Sequence, residues 1–109
     1  MSNIEEVANN KLNVDNGNHV IKFSAEWCGP CKMYGPIFDL VLGSKDSVKA
    51  HKVDIDTNAL LSAQYNVQSV PTTLFINNGE VVKTISGVVS ASNLHGYIDQ
   101  YLDNDPQPI

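Results

Sequence analysis

At 109 residues, the chain is long enough for one hydrophobic core and too short to divide into two. A hydrophobic content of 42% excludes a disordered chain, and apolar runs no longer than a strand exclude a helical membrane span. Twelve acidic against seven basic residues, a net charge of −5, exclude unaided nucleic-acid binding, because phosphates need neutralising cations.

In chain order, "SNIEEVANNKL" opens with a capping-box pattern, Ser2 with Glu5, and carries Ile4, Val7, Ala8 and Leu12 at near-helical spacing, which predicts an N-terminal helix. "NVDNGN" reads as a turn-rich loop. "HVIKFS", residues 19–24, is a nearly continuous apolar and β-branched run, the pattern of a strand buried on both faces. Beyond Cys28 and Cys31, Met33, Ile37, Leu40 and Val41 predict a helix that stops at Gly43, with a kink expected at Pro36. Residues 50–56, "AHKVDID", alternate as a second strand, and Thr57 or Asn58 caps a short helix through Tyr65. "TTLFI" and "VVKTIS" flank Asn78-Gly79, a strong hairpin signal. Leu94, Tyr97, Ile98, Tyr101 and Leu102 form a helical stripe behind Ser90 or Ser92. The domain is expected over residues 1–104, with a frayed tail at 105–109.

A strand, helix, strand unit crosses over right-handedly, so "SAEWCGPC" lies at the carboxyl end of the first parallel strand, where α/β folds gather their chemistry. The two cysteines are the only ones in the chain. Two readings are open to them. One is a redox pair: a cysteine at a helix N-terminus gains thiolate character from unpaired backbone N–H groups, and a second cysteine one turn inside lies within bonding reach. On this reading Cys28 is the exposed attacker and Cys31 the shielded resolver. The other is half a tetrahedral metal site, which needs two more ligands. His19, His51 and His95 are widely spaced, no second C-x-x-C exists, and all three are read as surface or strand-end residues, so no metal is expected. No basic start followed by an apolar stretch marks a secretion signal, and the expected compartment is the cytoplasm.

"AEWCGPCK" resembles the active-site signature of the thioredoxin family. "KVDIDTN" is similar to the family's third-strand segment, "VQSVPT" to its cis-proline loop, "NNGE" to its hairpin turn and "SGV" to its groove glycine, and the match runs from His19 to Leu102. The resemblance implies a three-layer α/β/α sandwich around a mixed sheet. It makes Cys28 the nucleophile and Cys31 the resolving thiol of a protein disulfide reductase and electron carrier. Trp27, Gly29, Pro30, Val70, Pro71, Gly87 and Val88 would line the substrate groove, with Pro71 cis. No cofactor would be bound to the chain. A monomer would be recharged by an NADPH-dependent thioredoxin reductase and would act on disulfide-containing proteins.

Three departures from the family stand out. Lys22 occupies the place of a buried aspartate and faces the family's lysine position, Lys52. A neutral Lys22 would accept the Cys31 proton, a charged one would stabilise its thiolate, Asp54 would compensate the charge, or the amine would simply reach water. Ser24 replaces a large aromatic residue. The family's first strand lacks room before "SNIEEVANN", so four strands are expected, with that strand missing or vestigial. A docking subunit that uses the groove without redox chemistry is the alternative function.

Overall fold

The computed structural model describes residues 3–102. Ser2 of the expected capping box and the tail from residue 103 lie outside them. The elements run β1 (Ile4–Glu6), β2 (Asn18–Ser24), α1 (Gly29–Gly43), β3 (Val48–Asp54), α2 (Ala59–Gln64), β4 (Thr72–Asn77), β5 (Glu80–Ser86) and α3 (Ala91–Tyr101). The sheet order is β1-β3-β2-β4-β5. β1, β3 and β2 are parallel, and β4 and β5 are added antiparallel.

β2 lies at the centre of the sheet, and its side chains alternate between two cores. Val20 packs with Tyr34, Phe38 and Leu42 of α1 and with Leu94 and Ile98 of α3. Ile21 and Phe23 pack on the opposite face with Val53, Leu61 of α2 and Leu74. Burial on both faces is why this strand carries an apolar run instead of an alternating one. The hairpin turns at Asn78 and Gly79, with φ of 48° and 84°. Two left-handed residues in succession suit the twist of the flanking strands, and asparagine and glycine adopt that conformation at least cost.

The N-terminus departs from expectation. Ile4–Glu6 is a short strand instead of a helix and brings the sheet to five strands, not four. Ile4, Glu5 and Glu6 pair with Ala50, His51 and Lys52. The edge of β3 would otherwise leave backbone groups unpaired, and Asn9 and Asn10, at φ of 57° and 56°, break any helix begun at Ile4 and Val7. Asn3 anchors the strand: its side-chain N–H groups reach the carbonyls of Leu42 at 2.7 Å, Lys45 at 2.9 Å and Val48 at 2.7 Å.

Two of the three histidines are also buried instead of lying at the surface. His19 and His51 stack at 5.0 Å, and their rings are joined through His19 Nδ1 and His51 Nε2 at 2.8 Å. The array continues to Glu5 at 2.6 Å on one side and to the Asn16 carbonyl at 2.7 Å on the other. A neutral imidazole offers one N–H and one lone pair, so the tautomers of the two rings are coupled along the array. Burial pulls the His51 pKa below its usual 6.5, opposed by the hydrogen bond and charge of Glu5. All four ring nitrogens are engaged, which leaves neither ring a nitrogen for a metal.

Asn58 ties the N-terminal segment to the end of β3. It is fully buried, donates to the carbonyls of Val7 at 3.2 Å and Asp54 at 3.1 Å, and accepts from the Asn10 backbone at 2.9 Å. Replacing it with alanine strands the Val7 carbonyl and the Asn10 N–H in the interior, while the Asp54 carbonyl keeps the backbone N–H of residue 58 at 3.0 Å. Asn58→Ala is expected to lower the unfolding free energy by about 2 kcal/mol, read as a lower urea midpoint at unchanged slope.

Candidate active site

The β2–α1 turn places Cys28 at the N-cap of α1, where its sulfur accepts the Cys31 backbone N–H at 3.2 Å. Gly29 and Pro30 occupy the first helical positions. Proline is tolerated there because its missing N–H would have had no intrahelical partner. No acidic side chain stands in the first turn to offset the positive helix end. Cys28 and Cys31 are joined by a disulfide, with their Cα atoms 5.3 Å apart.

The expected contrast in exposure is absent. Cys28 is 5% exposed and Cys31 6%. Both sulfur-bearing residues pack with Ala25 against Ile55 and Val70, so Cys28 is covered by the loop before β4 as well as by its own helix. What distinguishes the two is position: Cys28 sits at the helix end, and Cys31 lies one turn inside.

Most of the expected groove assembles around the pair. The Val70 carbonyl oxygen lies 3.7 Å from the Cys28 sulfur, and the Val70–Pro71 peptide bond is cis. Gly87, at φ of 93°, donates its N–H to the Pro71 carbonyl at 2.8 Å and so binds the segment after β5 to the proline loop. Val88 follows, exposed. Gly29 and Pro30 are exposed at the helix end. Trp27 is 68% exposed, with its indole N–H donated to Asp56 at 2.9 Å. That partner went unnoticed in the sequence because nothing local to either residue marks a contact between loops 29 positions apart.

Beneath the pair, Lys22 and Lys52 are register partners on β2 and β3. Lys52 is neutralised by Asp39 of α1 at 3.2 Å, so Asp39 supplies the compensating carboxylate, not Asp54. Lys22 is only 4% exposed and forms no ion pair with a described residue. Its amine lies 5.2 Å from the centre of the Phe38 ring and 3.8 Å from where a Cβ on Gly35 would stand. It is therefore tucked under the second turn of α1. Burial lowers its pKa from 10.5, and Lys52 adds to the effect, with Asp39 and Glu6 opposing.

A cavity of about 500 Å³ opens beside Cys31, lined by Ser24, Ala25, Glu26, Lys32 and Asp54. A larger hollow of about 810 Å³ sits around Glu5, Asn10, Lys49 and His51, at the amino end of the sheet and away from the cysteines.

Comparison with known proteins gives a consistent result. The thioredoxin family model matches residues 3–100. Thioredoxin from Porphyra purpurea is 35% identical over 99 residues, which cover 90% of this chain and 88% of the relative. Thioredoxin from Haemophilus influenzae is 40% identical over 84 residues, 76% of this chain and 78% of the relative. Among solved structures, the Malassezia sympodialis thioredoxin superposes with a TM-score of 0.73 at 36% identity, covering 81% of this chain and 79% of that one. The Fasciola hepatica thioredoxin gives 0.74 at 32%, covering 80% and 83%.

The Lys22 environment has a thermodynamic consequence. Its pKa is depressed in the folded state, so below 10.5 the unfolded chain binds more protons at this position. The cost to stability is largest at lower pH and fades as pH rises toward 10.5. Lys22→Met is expected to raise stability by about 1 kcal/mol at neutral pH. The gain should shrink when urea unfolding is repeated near pH 10. An equal gain at both values would mean that the amine carries no such penalty.

Proposed function

This chain belongs to the thioredoxin family, and from that premise we propose that it is a general reductant of protein disulfides in the cytoplasm, working as a monomeric electron carrier. Thiol–disulfide exchange through Cys28 and Cys31 is the activity of the family. The observation that carries the reading is the capped helix end. A negative sulfur at Cys28 keeps the Cys31 N–H as a hydrogen-bond donor and meets the positive end of α1.

In the reduced state the Cys28 thiolate attacks one sulfur of a substrate disulfide, and the other leaves as a thiolate. Cys31, already one turn away, then attacks Cys28. The internal disulfide forms, and the substrate departs with both electrons. Val70, Pro71 and the segment at Gly87 and Val88 give the substrate chain a surface beside the sulfur, with Trp27, Gly29 and Pro30 on the helix side. Lys22 acts through charge, with Lys52 held by Asp39: an ammonium group on the sheet beneath α1 favours the Cys31 thiolate over the thiol. Electrons would come from NADPH by way of a thioredoxin reductase, with no cofactor held by this chain. Opposite charge on that reductase's docking face would complement a surface whose net charge is −5.

Insulin disulfide reduction tests this directly, driven first by dithiothreitol and then by NADPH with a thioredoxin reductase. Activity in both is expected. Cys28→Ser should abolish it, and Cys31→Ser should accumulate a mixed disulfide with the substrate. A double Cys28→Ser, Cys31→Ser chain that kept its biological activity would instead favour a docking subunit.

A further inference from the structure

When Cys31 attacks the mixed disulfide it must first lose its thiol proton, and that proton needs an acceptor. This step rests on the exchange activity above. Lys22 has its amine tucked against Phe38 and Gly35, one turn along α1 from Cys31, and does not line the open space beside that sulfur. The open space beside Cys31 leads elsewhere. Ser24 and Asp54 are register partners at the carboxyl ends of β2 and β3, so their side chains project from the same face of the sheet. Both line the cavity of about 500 Å³ that also touches Cys31. A serine hydroxyl is too small to fill that volume, which is roomy enough for several waters at roughly 30 Å³ each. The Asp54 carboxylate is held at that lining: Oδ1 accepts the Asp56 N–H at 2.8 Å, and Oδ2 has no partner among the described residues.

We propose that Asp54 is the proton acceptor for Cys31, reached through the solvent-sized space that Ser24 leaves open. The Cys31 S–H bond breaks and its proton passes to the carboxylate. The Cys31 thiolate then forms the S–S bond with Cys28, the Cys28–substrate bond breaks, and the electron pair leaves on the substrate sulfur. Asp54 returns its proton to solvent. The other charged groups lining this space are Glu26 and Lys32; Lys22 and Lys52 stand two residues earlier on the same face of β2 and β3, and the Asp56 N–H is bonded to the Asp54 carboxylate.

The test is single-turnover reaction of the reduced protein with the aromatic disulfide dithiobis-nitrobenzoate. It releases one coloured thiolate when Cys28 attacks and a second when Cys31 resolves. Asp54→Asn keeps the shape of the side chain and removes the base. The expected result is an unchanged first phase and a second phase slowed about tenfold or more at neutral pH. The two proteins should converge near pH 10, above the usual thiol pKa of about 8.5, where solvent hydroxide can take the proton without a carboxylate. Ser24→Trp, which fills the space and leaves the carboxylate group itself in place, should slow the same phase with the same convergence. A second phase that is unchanged in Asp54→Asn, or slowed equally at neutral pH and at pH 10, overturns the proposal. So does Lys22→Met showing the converging slowdown in place of Asp54→Asn. Failure of the unmodified protein to show a second phase would instead overturn the exchange reading itself.

Discussion

The sulfur of Cys28 accepting the N–H of Cys31 is the contact on which the site depends. A helix begins with backbone N–H groups that have no partner within it, and here one of them is satisfied by a reactive atom instead of a serine or aspartate cap. The same sulfur must therefore serve as helix cap and as nucleophile. Holding it in place requires that α1 start at one fixed point, which β2 sets by being buried on both faces and ending at Ser24. The Ala25 carbonyl, bonded to the Cys28 N–H at 3.2 Å, closes the turn between them. Thus the apolar run of β2 positions the chemistry without containing any of it.

Charge is arranged less comfortably under that turn. Two lysines side by side on adjacent strands repel, and only Lys52 receives an ion pair, from Asp39. Lys22 is instead accommodated by aromatic contact and by a pKa that burial lowers. No fully buried side-chain nitrogen or oxygen among the described residues lacks a hydrogen-bond partner, so the unpaired Lys22 amine must keep some contact with solvent. A site that tolerates such a residue beneath its reactive pair gives up stability locally, as is common where chemistry and packing make opposite demands.

The sequence was most readable where local chemistry and the global fold agree. The run from Val20 to Phe23, the helix start at Gly29-Pro30, the Asn78-Gly79 turn and the Ser90 cap, which accepts the Asn93 N–H at 3.2 Å, each carry a short-range signal that the tertiary structure only confirms. It was least readable where pairing across the sheet decides. Ile4 and Val7 fit a helix equally well until β3 offers a free edge. His19 and His51 look unremarkable until parallel pairing of β2 and β3 sets their rings on one face, and Glu5 joins them only because β1 adds to that edge. The near-equal burial of the two cysteines has the same origin, since Val70 and Ile55 come from distant loops.

Register also explains why the neighbours of the space at Ser24 were not legible in the sequence. A small hydroxyl at position 24 implies space or an entry for water, but not what borders it. An acidic residue at position 54 reads as a compensating carboxylate for the two lysines, on the same strand face as Lys52. Parallel pairing makes them neighbours on the face that α1 covers, and α1 presents Cys31 to that face because it lies one turn inside the helix. An omitted side chain on one strand therefore gives a carboxylate on the next a path to a sulfur on the helix above. The three residues are linked by the β2-α1-β3 crossover, so the handedness that places Cys28 at the sheet edge also brings Asp54 within reach of its partner.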